Sequence, residues 1–183
     1  MNVSGDRTFD APRVTVWQVM NDPESMAKTM PGVESFDVHD DGRWTANVKI
    51  PLGLGGLKMK VDMEKTDERS LEYAAMHIKG QGVGAMMNME TSFTLSDADA
   101  GGTAMAWSAE VKILGPVGSM GQRVLQPIVN QQVRAVLTAL DAQVQDALAL
   151  GGSATHGAEE GVSPASPEAY EAEPEGPTTS TED

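Results

Sequence analysis

Residues 44–64 read WTANVKIPLGLGGLKMKVDME and contain two stretches in which apolar and polar side chains alternate. In 44–50 every second residue is apolar, and after the turn 51–56 the run 57–64 repeats the pattern. A period of two is typical of a β-strand that buries one face. The stretch therefore predicts two antiparallel strands, joined by a turn of proline, leucine and glycine.

The same period continues on both sides of this stretch. Strands are predicted over VESFDV, over SLEYAAMHIKG, over 87–95 and over 105–113, with a first strand over about 3–9. In SLEYAAMHIKG the alternation is irregular, which indicates a bulge near Ala74 and Ala75. Six consecutive strands with short turns are typical of an antiparallel meander.

Helical spacing of apolar residues appears in 12–21, in 23–30 and in the closing segment 116–148. Pro127 lies inside the closing segment and is expected to kink or restart the helix. We expect an α+β fold, with a curved antiparallel sheet of about seven strands wrapped around a long C-terminal helix and two short helices after strand 1. Such a sheet either packs solidly on the helix or leaves a cavity beneath it.

The chain has 183 residues, of which 40% are hydrophobic, and this suits one domain over 1–150. Residues 151–183 hold eight acids and no Lys or Arg, among Pro, Ser and Thr, and are expected to be a disordered tail. The net charge of −14 and the lack of a basic stripe argue against nucleic acid as a partner. The same charge argues against electrostatic capture by anionic lipid.

No Cys is present, so disulfides, thiolate catalysis and Cys-ligated metals are excluded. The start MNVSGDRTFD does not resemble a secretory signal, and no apolar run is long enough to span a membrane. We expect a cytoplasmic protein, in contact with the membrane at most from its inner face.

The turns of a meander alternate between the two ends of the sheet, so their composition can be compared end by end. HDDGR, TDERS and SDADAGGT belong to one end and are acidic. PLGLGG, GQGVGA and LGPVGSMG belong to the other end and are rich in glycine and aliphatic residues. An apolar rim at one end usually indicates a binding mouth, a partner face or a membrane contact.

The inward strand positions are rich in methionine, a flexible residue that is common where a surface adapts to a ligand. Methionines at strand spacing are also common in irregular packed cores, so the pattern alone leaves both interpretations open. The residues predicted to line a ligand pocket are Met59, Met63, Met87, Met89, Phe93, Met105, Trp107, Val124 and Ile128. The residues predicted at its mouth or docking rim are Leu52, Leu54, Leu57, Val83, Val117 and Met120.

Catalytic and metal sites are not indicated. The predicted inward sets contain one polar side chain, Thr91, whereas His77 and Tyr73 fall where the strand parity is irregular. A cyclase-like enzyme that uses His77 or Tyr73 therefore remains an alternative. Three scattered His residues without Cys give no metal-ligand spacing. We expect no enzymatic activity, no metal and no required cofactor.

One longer motif points to a family. Ala11–Pro12, Trp17, NDPE at 21–24 and MPGVES at 30–35 resemble the signature of the carbon monoxide dehydrogenase CoxG family, and GQRVLQPIVNQQV resembles its closing helix. The resemblance covers about residues 3–148. It implies membership of the START-like, or SRPBCC, helix-grip superfamily, with a cavity beneath the long helix. Pro127 and the acidic tail depart from the family, since some relatives carry a hydrophobic C-terminal anchor instead.

The resemblance also implies partners. Family members are similar to accessory proteins encoded beside molybdenum hydroxylases of the carbon monoxide dehydrogenase type, and are implicated in attaching that enzyme to the membrane. We therefore expect a binding protein for a hydrophobic ligand, with an isoprenoid quinone as the candidate. The alternatives are a docking or assembly factor with a filled core and the cyclase-like enzyme.

Overall fold

The computed structural model describes residues 1–52, 56–99 and 101–155. Within them, seven strands form one antiparallel sheet, and a long helix follows the last strand. The strands are β1 Asn2–Phe9, β2 Val33–Val38, β3 Trp44–Ile50, β4 Leu57–Arg69, β5 Tyr73–Gly82, β6 Ala85–Asp97 and β7 Thr103–Leu114. Their order is β1-β7-β6-β5-β4-β3-β2, so six strands form the predicted meander and β1 adds beside β7. The predicted α+β architecture is confirmed.

The bulge lies on the strand opposite the predicted position. The register between β4 and β5 shifts between the pairs Lys65↔Met76 and Asp67↔Ala75, which leaves Thr66 as the extra residue on β4. The strand pairing is continuous through Ala74 and Ala75 themselves. The sequence thus located the irregularity to within one strand pair, but the extra residue belongs to the partner strand.

Two short helices follow β1, as predicted. The helix α1 spans Arg13–Asn21, and α2 spans Pro23–Thr29. Asp22 is the N-cap of α2: its carboxylate accepts a hydrogen bond of 2.7 Å from the backbone N–H of Ser25, while Pro23 occupies the first helical position.

The long helix α3 spans Gln122–Thr155 and is preceded by a 3-10 turn over Gly118–Met120. It is continuous through Pro127, so the expected restart is absent, because proline near the N-terminus of a helix removes a single backbone hydrogen bond. The helix runs five residues beyond the predicted domain boundary at 150. The rest of the predicted tail lies outside the described residues, and its disorder stays a prediction.

The helix α3 is held over the sheet at a distance. Its closest backbone contacts are with α1, α2 and the 3-10 turn rather than with the strands. One packed cluster, around Trp17, Leu140 and Val144, anchors the C-terminal part of the helix. A second cluster, around Trp44 and Val61, belongs mainly to the sheet. Between the two clusters, the helix and the sheet leave a hollow.

Candidate functional site

A cavity of about 410 Å³ lies between α3 and the inner face of the sheet. Nine of the twelve methionines of the chain line it. They are Met20, Met26, Met30, Met59, Met63, Met76, Met87, Met89 and Met105. A cavity of this size falls within the usual range of small-molecule sites. The structure therefore favours a hollow over the solidly packed alternative.

The lining contains almost no chemistry beyond apolar contact. Its polar members are Thr29, Thr91, Ser92 and Gln132. The hydroxyl of Thr29 donates to the carbonyl of Met26 at 2.7 Å, and that of Thr91 donates to the carbonyl of Ser108 at 3.0 Å. No acid, base or other ionisable side chain of the described residues lines the cavity. The walls can recognise a ligand by shape and apolar surface, with little polar discrimination.

Small residues on the inner face keep the space open. A Cβ at Gly80 would lie 2.7 Å from the Cε of Met59 and 3.2 Å from the Cβ of Met87, so the absence of a side chain lets both methionines lie over β5. Ala109, 8% exposed, lines the cavity from β7. At these positions the strands approach the cavity without filling it.

A glycine on the neighbouring strand β1 leaves room for the indole ring of Trp107. Trp107 pairs with Gly5 of β1, and a Cβ at Gly5 would lie 3.1 Å from the indole Cζ2. The indole Nε1 is buried and has no hydrogen-bond partner among the described residues. The ring therefore contributes an apolar wall, and its polar atom is covered by protein.

Eight of the nine residues predicted for the pocket lie in the cavity lining, and Val124 does not. Val124 is 44% exposed. The prediction followed the series 120, 124 and 128 along the helix, whereas the lining stripe runs through Leu125, Ile128 and Val129. The stripe is thus rotated by about one residue from the predicted one, which moves Val124 to its flank.

The predicted mouth residues divide into two groups. Leu52, Leu57 and Val117 line the cavity at one end, and we call them the rim. Val83 and Met120 lie outside the lining, with exposures of 94% and 46%. Leu54 lies outside the described residues. The backbone N–H of Val117 donates to the carbonyl of Gly84 at 3.0 Å, which ties the β5–β6 turn to the segment after β7. The β5–β6 turn and the segment after β7 therefore meet at one end of the sheet, where Leu52 and Leu57 also line the cavity.

The sequence analysis missed a second wall of the cavity. Met20, Met26 and Met30 reach it from α1 and α2, and Met76 reaches it from β5. The shared face of Met26 and Met30 was visible as helical spacing. Which surface that face covers depends on how α2 packs against α3, and local periodicity carries no information on this.

The candidate catalytic residues of the sequence lie away from the cavity. His77 occupies a position on the outer face of β5, where its Nε2 lies 2.6 Å from the Oδ1 of Asn88. The guanidinium of Arg69 lies 4.9 Å from the ring centre of Tyr73. Neither His77 nor Tyr73 belongs to the lining. Within the described ranges no cluster of His, Asp and Glu could hold a metal ion.

The displaced pKa values belong to the surface. The pKa of Asp41 is lowered, chiefly by the hydrogen bond from the Arg43 side chain, and the pKa of Glu110 is lowered by Lys112 in the same way. Asp41 and Arg43 border a charged cleft of about 350 Å³ at the end of the sheet opposite the rim. These shifts reflect exposed ion pairs and do not mark a catalytic group.

Solved structures of other proteins show the same fold. A conserved protein from Geobacillus kaustophilus has a TM-score of 0.74 at 18% identity, covering 80% of this chain and 96% of its own. A START superfamily protein from Mycobacterium smegmatis has a TM-score of 0.60 at 15% identity, covering 79% and 97%. The Zhui aromatase/cyclase from Streptomyces sp. R1128 has the same score and identity, covering 79% and 93%. The chain therefore has a START-like fold.

Sequence comparison gives a more specific result. The model of the carbon monoxide dehydrogenase CoxG family matches residues 5–145. A search of curated proteins finds no significant match. The family match spans β1 from Gly5 onward, the other six strands, both short helices and most of α3, so it includes part of every element that lines the cavity. In the described part of the chain, no helix has the length and apolar character that crossing a bilayer would require.

Proposed function

Because the chain belongs to the carbon monoxide dehydrogenase CoxG family, we propose that it is a non-enzymatic accessory protein that binds a hydrophobic ligand beneath α3. The observation that carries this proposal is the cavity of about 410 Å³, lined by methionines and aliphatic residues and by no ionisable side chain of the described residues. General acid–base chemistry needs a titratable group within reach of the substrate. The cavity can bury an apolar ligand, but none of its described lining residues could transfer a proton to or from it.

The ligand that suits this lining best is an isoprenoid quinone. A branched prenyl chain gains about 0.8 kcal/mol for each buried CH₂ group, hence roughly 3 to 4 kcal/mol for a five-carbon isoprene unit before ordering costs. Methionine side chains adapt to the methyl branches of such a chain. The side chain of Gln132 makes no hydrogen bond with a described residue, so its amide is free to donate to a quinone carbonyl. No other cofactor is required.

The family name supports a proposal for the partner enzyme. A protein that takes up quinone has a use beside an enzyme that releases electrons, and the family name refers to carbon monoxide dehydrogenase. We propose that the chain serves a molybdenum hydroxylase of this type and links it to the membrane, at the cytoplasmic side.

A docking function without ligand is the second candidate, and the exposed tip of the β5–β6 turn favours it, since Val83 is 94% exposed. Capture of purified hydroxylase by the wild-type chain and by Val83→Asp distinguishes the two. If docking alone is the function, the variant loses the enzyme and no lipid accompanies either protein.

The test of ligand binding uses a neighbouring pair of methionines. Met87 lines the cavity, whereas Met86 points to the outer face and is 57% exposed. Met87→Gln places an amide against the ligand chain at a cost of about 1 to 3 kcal/mol, which corresponds to a roughly 5- to 150-fold weaker affinity. Met86→Gln is the matched control and should leave the affinity unchanged. The measurement is titration of a short-chain quinone, followed by the quenching of tryptophan fluorescence.

Mass spectrometry of organic extracts provides an independent measurement. The purified wild-type chain should release a prenylated lipid, and Met87→Gln should release less of it. Repeated extracts without lipid, together with no binding of added quinone, would refute the proposal. Equal effects of Met86→Gln and Met87→Gln would show that binding occurs outside the cavity.

A further inference from the structure

The two ends of the sheet differ in net charge, because the acids are concentrated at the end opposite the rim. Arg7, Arg13, Arg43, Lys65 and Arg69 also lie toward that end. Residues 1–150 have a net charge of −6, and six of the thirteen Lys and Arg residues lie at the end that carries the rim. They are Lys49, Lys58, Lys60, Lys79, Lys112 and Arg123. The turns at the opposite end contain Asp40, Asp41, Asp67, Glu68, Glu72, Asp97 and Asp99. The two ends of the folded domain therefore differ in charge, although the net charge of the chain gives only their sum.

The strand register aligns these cations beside exposed apolar residues. Lys79 and Lys112 both pair with Asn88, so the three side chains form one row across the outer face of β5, β6 and β7. Met86 and Leu114 pair with each other one row closer to the rim end. Their exposures are 57% and 61%, and the tip residue Val83 beyond them is 94% exposed. On β4 the same row continues with Asp62, which pairs with Lys79. Two lysines of this row therefore lie behind an apolar edge.

The acids near these cations do not cancel them. Three of the lysines have exposed ion-pair partners. The distances from the lysine Nζ are 2.9 Å from Lys112 to Oε1 of Glu110, 3.1 Å from Lys58 to Oε2 of Glu34, and 3.9 Å from Lys60 to Oδ1 of Asp62. Exposed pairs of this kind are weak, so a stronger anionic surface can compete for the lysines. Lys79 makes no ion pair with any residue that the structure describes, and neither do Lys49 and Arg123.

We propose that this surface docks the molecule on a bilayer that contains anionic phospholipid, with Val83 and Leu114 entering the headgroup layer. We call the surface the mouth face and define it by Val83, Met86, Leu114 and the six cations. The inference rests on the proposed function, because an apolar ligand that moves between bilayer and cavity must pass the rim. It departs from the expectation based on net charge, because a bilayer would contact one end of the molecule and its local charge.

Charge and apolar exposure both favour a lipid surface over an acidic protein as the occupant. Lysine stems can lie along apolar surface while their ammonium groups reach phosphate, which is how basic residues flank membrane-inserted tips. Val83 follows the last residue of β5, Leu114 is the last residue of β7, and both are exposed at this end of the sheet. The rim residue Val117 adjoins this edge through the hydrogen bond to Gly84, so docking places the cavity entrance against the lipid.

Vesicle sedimentation with the full chain tests the proposal. Vesicles of phosphatidylcholine alone are compared with an equal mixture of phosphatidylcholine and phosphatidylglycerol. The wild-type chain should partition onto the mixed vesicles, and added salt should weaken the binding. Each basic residue near an anionic surface contributes roughly fivefold to partitioning, so Lys79→Gln with Lys112→Gln should reduce it roughly 25-fold. Arg43→Gln with Lys65→Gln removes the same charge at the opposite end and should leave partitioning within about twofold.

The apolar contribution has its own matched pair. Val83→Asp should abolish partitioning, whereas Val38→Asp, at a position 53% exposed near the opposite end, should not. Equal losses in the two charge pairs, or no partitioning of the wild-type chain, would overturn the proposal. Partitioning that appears only when the chain is ended at Thr155 would mean that the acidic tail occupies the mouth face, and would also overturn it.

Quinone titration in solution separates this inference from the proposed function. The lysine variants should bind quinone as the wild type does, because none of the changed residues lines the cavity. Quinone binding without vesicle partitioning would overturn only the docking surface. Vesicle partitioning without any quinone binding would overturn the proposed function and leave the docking surface supported.

Discussion

Replacing Ala109 by leucine tests whether the space beneath α3 is hollow. Ala109 lies on the inner face of β7, is 8% exposed and lines the cavity. Ala46 lies on the inner face of β3, is 0% exposed and does not line it. The two alanines therefore allow the same substitution at a hollow site and at a packed site.

The expected free energies differ in sign. Leucine adds three carbon atoms, worth at most about 2.4 kcal/mol if fully buried and about 1 kcal/mol if half of the added surface still faces the open cavity. At Ala46 the same atoms have no space, and overpacking costs typically about 1 to 3 kcal/mol. For a domain of this size, roughly 1 kcal/mol shifts Tm by about 2 to 4 °C. Ala109→Leu should raise Tm by a few degrees, and Ala46→Leu should lower it.

Thermal and urea unfolding, followed by circular dichroism, measure this difference. Ala109→Leu should also weaken quinone binding, because the new side chain occupies ligand space. A loss of stability in Ala109→Leu equal to that in Ala46→Leu would show that the helix and the sheet are in close contact. The cavity, and the proposed function with it, would then be wrong.

Three further predictions concern individual residues. Asp22→Ala should lower the free energy of unfolding by about 1 kcal/mol at neutral pH, because it removes the cap of α2. Hydrogen bonds from Ser25 lower the pKa of Asp22 below its unfolded value, so the difference in unfolding free energy from wild type should shrink as the pH falls below about 4. Urea titrations at a series of pH values measure this difference. Thr103→Val should cost about 1 to 3 kcal/mol of unfolding free energy, since it leaves the buried carbonyl of Ala11 without the 2.7 Å hydrogen bond from the hydroxyl, and Thr103→Ser should restore most of it. His77→Ala should leave quinone affinity unchanged in fluorescence titration, because His77 lies outside the cavity lining; a large loss would contradict the placement of the ligand beneath α3.

The strands and helices could be predicted from the sequence because their signals are local. The alternation in 44–50 and 57–64 places one face inward whatever the rest of the chain does. The grouping of acidic turns at one end and aliphatic turns at the other could also be predicted, because a meander returns to the same end of the sheet at every second turn. The predicted pocket residues of the strands line the cavity for this reason.

Other features depend on distant parts of the chain and appeared only in the tertiary structure. Thr66, as the extra residue of β4, is tied to the register in which His77 lies on the outer face of β5. The packing of α2 on α3 brings Met26 to the cavity wall. Strand register also brings Lys79 and Lys112, which are distant in sequence, into one row.

The amino-acid sequence by itself determined which residues face inward, which turns are apolar and which elements follow one another. The reason is that the backbone geometry of a strand or helix places residues of a given period on the same face. Whether the inward side chains meet or leave a hollow was decided by the separation between α3 and the sheet. That separation is a balance among many side chains at once, from α1 and α2 as well as from the strands. The distribution of charge between the two ends was decided in the same way, by which strands became neighbours.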